Sequence, residues 1–359
     1  MTPLNVLVID DSAVVRQVMI ALLGPTMSVT TAADPLIAMT KMETRRPDVI
    51  VLDLEMPRMD GLTFLRKLMD ENPLPVVVCS SFTEASSELT MRALQLGAVD
   101  VVLKPKVRIG EEPSDSVIAL LDTVRAAAQA RVGRTRSRTA RTAGEDRHPH
   151  LTIAPVASTH ARAGVPQLIA LGASTGGTEV LKQLLDAMPA DSPPIVIVQH
   201  MPERFTAAFA RRLNESSAMT VREARPGDVL QPGLALIAPG DRHMSVSRYN
   251  RTDIGIALHD GPLVNRHRPS VDFLFASVAR ALGSAAAGVL LTGMGRDGAQ
   301  GLLEMRKAGA LTMAQDEASS IVFGMPRAAI ELGAAAKVLS ADLIGATLLR
   351  VIGREEAGG

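Results

Sequence analysis

At 359 residues, 47% hydrophobic and 21% charged, the chain is too long for one ordinary core and suits two domains. Its 38 Lys and Arg balance 38 Asp and Glu, and 7 Phe, 1 Tyr and no Trp leave little to stack on bases, which excludes nucleic acid as the expected partner. The single cysteine, Cys79, cannot form an intrachain disulfide, MTPLNVLVID lacks the features of a signal peptide, and apolar stretches such as AAAGVLL are too short to span a bilayer, so a cytoplasmic protein without membrane insertion is expected.

Up to residue 125, short runs rich in Val, Ile and Leu alternate with amphipathic segments of helical length, the rhythm of a parallel sheet covered on both faces. The runs are NVLVID, SVTTAA, DVIVLD, PVVVCS and VDVVLK; SAVVRQVMIALLG, PLIAMTKMETRR, GLTFLRKLMDEN and SSELTMRALQLG lie between them. This pattern predicts one doubly wound α/β domain. Cys79, within PVVVCS, reads as a small core residue, since nothing basic flanks it.

Ligands of such sheets sit at the carboxyl ends of the strands, where the runs end in Asp10 and Asp11, Asp53, Ser80 and Lys104. Three carboxylates at one edge repel unless a cation neutralises them, and hard oxygen donors suit Mg²⁺. Asp53 could then attack a phosphoryl group, with Lys104 pairing the new charge and Ser80 binding a phosphoryl oxygen. Taken singly, such residues cap helices, as Asp11 or Ser12 could before AVVRQV. Together, IDDS, LDLEMPRMDGL, VVVCSS and LKP resemble a two-component receiver domain of flavodoxin-like fold. The resemblance implies phosphorylation of Asp53 by a histidine kinase, Mg²⁺ held by Asp10, Asp11 and Asp53, and a switch through Ser80 and Lys104.

Residues 126–165 include RVGRTRSRTARTAGEDRHPH, with almost no large apolar side chain, and are expected to form an Arg-rich flexible linker. A docking strip for an acidic partner or a contact with nucleic acid is the alternative for this segment, disfavoured because no aromatic residue is interleaved with the arginines. The βα rhythm resumes in residues 166–355, where QLIALGAS, PIVIVQH and GVLLTG read as buried strands. Gly172–Gly176 spell GxSxG, which a phosphate loop or a nucleophile elbow would each explain. No Lys follows the turn, and the next strand ends in His200 rather than in an acid, which disfavours phosphate.

If these strands are parallel, Ser174, His200 and Asp297 converge on one edge, and acyl transfer needs that combination. An imidazole takes the serine proton, and a carboxylate orients the imidazole and stabilises its charge. Amides around Gly176, Gly177 and Met294 are candidate oxyanion donors, and Thr175 could add a hydroxyl. The order Ser, His, Asp differs from that of α/β-hydrolases. Taken alone, Ser174 would be a helix cap, His200 structural and Asp297 a residue favoured by the helix dipole.

GASTGG, QHMPERFTAAFA, APGDRHM, VNRHRPSVDFLF and LTGMGRDGAQGL resemble the catalytic domain of the chemotaxis protein-glutamate methylesterase/protein-glutamine glutaminase family. The resemblance implies a Rossmann-like second domain and a triad of Ser174, His200 and Asp297, with Met294 beside it. It also implies demethylation of γ-glutamyl methyl esters on methyl-accepting chemotaxis receptors, deamidation of receptor glutamines, and no cofactor for the esterase step. The loop of Arg266, His267 and Arg268 could contact acidic receptor helices or stay solvated. A receiver fused to a hydrolase suggests that the unphosphorylated receiver covers the active site. A response regulator with a catalytically silent second half and a serine hydrolase of another ester are the alternatives.

Overall fold

The structure, a computed structural model, describes residues 3–57, 59–81, 83–105, 115–130, 132, 165–250 and 253–353. β1 (Asn5–Ile9), β2 (Ser28–Ala32), β3 (Val49–Leu52), β4 (Val76–Ser80) and β5 (Asp100–Leu103) pair in the order β2-β1-β3-β4-β5. Every pairing is parallel, as in flavodoxin-like sheets. Alternate residues face opposite layers. Val6, Val8, Val51 and Val77 pack with α1 (Ala13–Leu23) and α5 (Asp115–Ala128). Leu7, Ile9, Leu52 and Val78 pack with α2 (Pro35–Thr44), α3 (Gly61–Glu71) and α4 (Glu84–Gln95).

Each of the first four helices starts at a side chain that accepts a backbone N–H: Ser12, Asp34, Asp60 and Thr83. Ser12 rather than Asp11 therefore caps α1, which leaves the Asp11 carboxylate for other partners. Cys79 is buried in the α1/α5 layer, and desolvation raises its thiol pKa well above the usual range. Helix α5 continues to Ala128, three residues into the segment read as linker, because Val124 and Ala127 still pack on the sheet. Residues 133–164, with most of the Arg-rich stretch, lie outside the described residues.

The second sheet has seven strands: β6 (Leu168–Ala173), β7 (Ile195–Gln199), β8 (Thr220–Glu223), β9 (Leu234–Ile237), β12 (Ala286–Leu290), β13 (Leu311–Gln315) and β14 (Lys337–Leu339). Their order is β14-β13-β12-β6-β7-β9-β8, parallel throughout. Inserted between β9 and β12, β10 (His243–Arg248) and β11 (Ile254–His259) form an antiparallel hairpin. One face of the sheet is covered by α6 (Gly177–Asp186), α7 (Phe205–Ser216) and α11 (Ala341–Val351). The other is covered by the hairpin with α8 (Val271–Leu282), α9 (Ala299–Lys307) and α10 (Met325–Glu331). Strand order reverses at β6, which has β7 on one side and β12 on the other, and the crevice at such a switch point is where ligands bind.

The two units share a contact. The apolar layer under α3 and α4 is continuous with the layer of α6 and α7, and the Arg212 guanidinium donates to the Met91 carbonyl at 2.7 Å. Ile321, after β13, packs into the α1/α5 layer of the first unit.

Candidate active site

The register of the second sheet brings three strand ends together. Ala173 pairs with Gln199, and Gly172 with Leu290. Beyond the strands, the backbone continues these ties: His200 N donates to Ala173 O at 3.0 Å, Ser174 N to Thr292 O at 3.0 Å and Leu291 N to Gly172 O at 2.8 Å. Ser174, His200 and Asp297 therefore gather at one edge, as parallel strands predict. Ser174 lies in the turn that Gly176 completes with φ 76°, a conformation L side chains rarely adopt. A Cβ at Gly176 would also lie 2.5 Å from the Ile321 Cβ.

His200 Nε2 lies 2.8 Å from Asp297 Oδ2. The carboxylate is 1% exposed and collects four further donors: Asn265 Nδ2 at 2.9 Å, Ser270 Oγ at 2.8 Å, Val271 N at 2.7 Å and Asp272 N at 3.3 Å. Three of these come from the start of α8, whose dipole favours an anion there. Burial alone would raise the Asp297 pKa, but the His200 bond and charge, with Asn265 and Val271 N, hold it well below the carboxylate range. A carboxylate this well solvated by protein stays ionised and keeps its hydrogen bond to the imidazole. His200 Nδ1 is buried with no hydrogen-bond partner, and it is the ring nitrogen left to receive a proton.

Of the candidate oxyanion donors, Gly177 N is engaged within its own turn, donating to Ser174 O at 2.8 Å. Gly176 N donates to Val99 O of the first unit at 3.2 Å, and the Thr175 hydroxyl donates to Asp100 Oδ2 at 2.6 Å. The first unit thus binds two polar groups of the serine turn. Met294 is half-buried, one residue past Gly293, whose Cα backs onto Ser174.

At the carboxyl edge of the first sheet, Asp10, Asp11 and Asp53 each offer a carboxylate oxygen within 4.8 Å of the others. This all-oxygen set fits a small hard cation. Lys104 Nζ lies 2.8 Å from Asp53 Oδ2 and 2.9 Å from Asp10 Oδ2. Burial raises the Asp53 pKa, and the Lys104 bond and charge offset part of that rise. Burial would lower the Lys104 pKa, but its bonds to Asp53 and Asp10 outweigh that and raise it. The Ser80 hydroxyl accepts from Thr90 at 3.1 Å and donates to Ser81 O, so it is not bonded to Asp53 in this state.

Several side chains at the site were not singled out from the sequence, or were read otherwise. Asn265 and His267 flank Arg266 in the loop read as cationic. There the His267 ring stacks on His200 with centroids 3.7 Å apart and planes 11° apart. Asp100 precedes VVLK, a run read only as a strand. A polar residue opening a strand was a usable signal for Asp100; the reach of Asn265 and His267 depends on a turn conformation that residue types do not spell out.

Two family models match the chain: "Response regulator receiver domain" over residues 6–109 and "CheB methylesterase" over residues 169–348. The chain is 52% identical to protein-glutamate methylesterase/protein-glutamine glutaminase 1 of Anaeromyxobacter dehalogenans, covering 96% of this chain and 98% of the relative. It is 51% identical to number 2 of the same name from Rhodospirillum rubrum, covering 97% and 98%. Among solved structures, the CheB methylesterase catalytic domain of Thermotoga maritima is similar at 37% identity and a TM-score of 0.50, covering 52% of this chain and 98% of that one.

Proposed function

Since the chain belongs to the CheB family of protein-glutamate methylesterases and protein-glutamine glutaminases, we propose that its triad is Ser174, His200 and Asp297. The protein is a receiver-regulated chemotaxis hydrolase. Its substrates are γ-glutamyl methyl esters and certain glutamine amides of methyl-accepting receptors. The observation that carries the triad reading is the His200–Asp297 pair, caged by α8 beside the serine turn.

Ser174 Oγ attacks the ester carbonyl while His200 takes its proton at Nδ1, because Nε2 is held by Asp297. This is the reverse of the ring orientation in chymotrypsin-like triads, where Nε2 takes the proton, yet it meets the same need for a fixed tautomer. The oxyanion is stabilised by amides of the serine turn, Gly176 N among them once it leaves Val99 O. The imidazolium returns its proton to the departing methoxide, giving methanol and an acyl ester on Ser174. Water, deprotonated by the same Nδ1, then releases the receptor glutamate and restores the serine. Deamidation follows the same course with ammonia as the leaving group.

Regulation follows from the contact between the units. With Asp53 unmodified, Val99 O and Asp100 engage Gly176 N and Thr175, and Ser174 is 8% exposed, so a receptor helix has no path to the nucleophile. Asp53 accepts a phosphoryl group from a histidine kinase. Asp10, Asp11 and Asp53 would hold Mg²⁺, which when bound neutralises phosphoryl oxygens during transfer. Lys104 then pairs with the phosphoryl charge and Ser80 turns to bind it, which shifts α4 and β5 at the contact. The regulatory unit ends with α5 and the hydrolase begins near residue 166.

The test is methanol release from membranes carrying methylated receptors, with and without Mg²⁺ and acetyl phosphate. Ser174→Ala is expected to abolish release under both conditions, and Asp53→Asn to abolish only the stimulation. Release by Ser174→Ala at the wild-type rate would overturn the triad assignment.

A further inference from the structure

The loop between β11 and α8 reads in the sequence as cationic, either a contact for acidic receptor helices or solvated, but its geometry places it at the site. Val264 and His267 exchange both backbone hydrogen bonds, N to O, at 3.1 and 2.9 Å. The two residues between them, Asn265 and Arg266, have φ of 51° and 67°. Two consecutive left-handed residues make a tight turn of the primed kind, which a non-glycine pair adopts only where surrounding structure imposes it. The turn sends three side chains three ways. Asn265 donates to Asp297 and Asp272, Arg266 lies 3.9 Å from the Asp122 carboxylate of α5, and His267 lays its ring on His200.

A single hydrogen bond at Nε2 leaves the His200 ring free to swing about the line to Asp297, which would displace Nδ1, the nitrogen assigned above to take the Ser174 proton. A second ring stacked 3.7 Å away with its plane nearly parallel blocks that swing. We propose that His267 is a positioning residue for the hydrolysis, its ring clamping the plane of His200 so that Nδ1 addresses Ser174. This inference rests on the triad reading above. The charged groups facing the pair are Asp297, Arg266 and Asp100. Desolvation, then the charges of His200 and Arg266, keep the His267 pKa well below the ordinary imidazole value despite the opposing pull of Asp297. His267 therefore stays neutral and does not compete for the serine proton. Its ring face also accommodates the positive charge that His200 acquires in turnover.

The experiment compares His267→Ala, His267→Phe and His267→Asn in the full chain, phosphorylated with acetyl phosphate and Mg²⁺, by methanol release from methylated receptor membranes. Phe retains a flat ring without a titrating group; Ala and Asn do not. Loss of the clamp predicts at least a tenfold fall in kcat for Ala and Asn, with KM within twofold, and a kcat for Phe within threefold of wild type. Wild-type kcat in Asn, or equal impairment of Phe and Asn, overturns the proposal. Should Ala fail to fold, the Phe and Asn pair decides. Ser174→Ala is assayed beside them: its inactivity with wild-type behaviour of the His267 variants refutes the clamp alone, and its full activity refutes the triad.

Discussion

Asp297 shows how one residue is prepared by many weak bonds. Its five donors lower the cost of burying the negative charge, and in the proposed triad its task is to hold the His200 tautomer and answer the imidazolium charge. Asp297→Asn keeps the shape but loses the charge and presents the wrong hydrogen-bonding edge. A fall in kcat of about 10³ to 10⁴ is expected in the methanol assay, with little change in KM. Asp100 is prepared in the opposite sense. Burial raises its pKa from 3.8 to about 6, against the lowering bonds from Thr175 and Val101 N and the His200 charge. A carboxyl with a raised pKa in the docked state favours docking when protonated, and that contribution is lost as pH rises through about 6. The ratio of unphosphorylated to phosphorylated activity should thus rise between about pH 4 and 6 and level off above. Asp100→Asn should flatten this ratio, and a flat ratio in the wild type would remove Asp100 from the latch.

At the scale of elements, the start of α8 links stability to chemistry. Ser270 caps the helix by accepting from Phe273 N at 3.3 Å, and its hydroxyl donates to Asp297 at 2.8 Å. One hydroxyl thus serves the helix and the proposed triad. Ser270→Ala is expected to cost about 1 kcal/mol in urea unfolding, the usual worth of a cap. It should also lower kcat about tenfold or less, since four donors to Asp297 remain. The start of α8 was legible from PS before VDFLF, because proline and a capping hydroxyl mark helix starts. The bond from Ser270 to Asp297 was not legible, since 27 residues and a sheet crossover separate the two.

Across the whole molecule, the contact between the units is the proposed brake on basal activity. Ile321 packs into the receiver core, Arg212 holds Met91 O, and Val99 O and Asp100 occupy the serine turn. Deleting residues 1–150 should raise basal methanol release toward the phosphorylated level. Ile321→Asp should do the same in the intact chain, since it buries a charge against apolar partners. A docking preference of only about 1.4 kcal/mol would correspond to a tenfold change. Basal rates equal to wild type in both variants would refute covering as the brake.

The sequence by itself determined the two α/β units and the strand ends at which Asp53 and the Ser174, His200 and Asp297 set would lie. Hydrophobic runs, helix-length periodicity and turn residues are local, and a parallel sheet puts the end of every strand on the same edge. Only the tertiary structure decided which imidazole nitrogen meets Asp297, that His267 stacks on His200, and that Asp100 and Val99 O bind the serine turn. These depend on a left-handed turn imposed by its surroundings and on the packing of two separate cores. Neither leaves a period or a spacing in the chain.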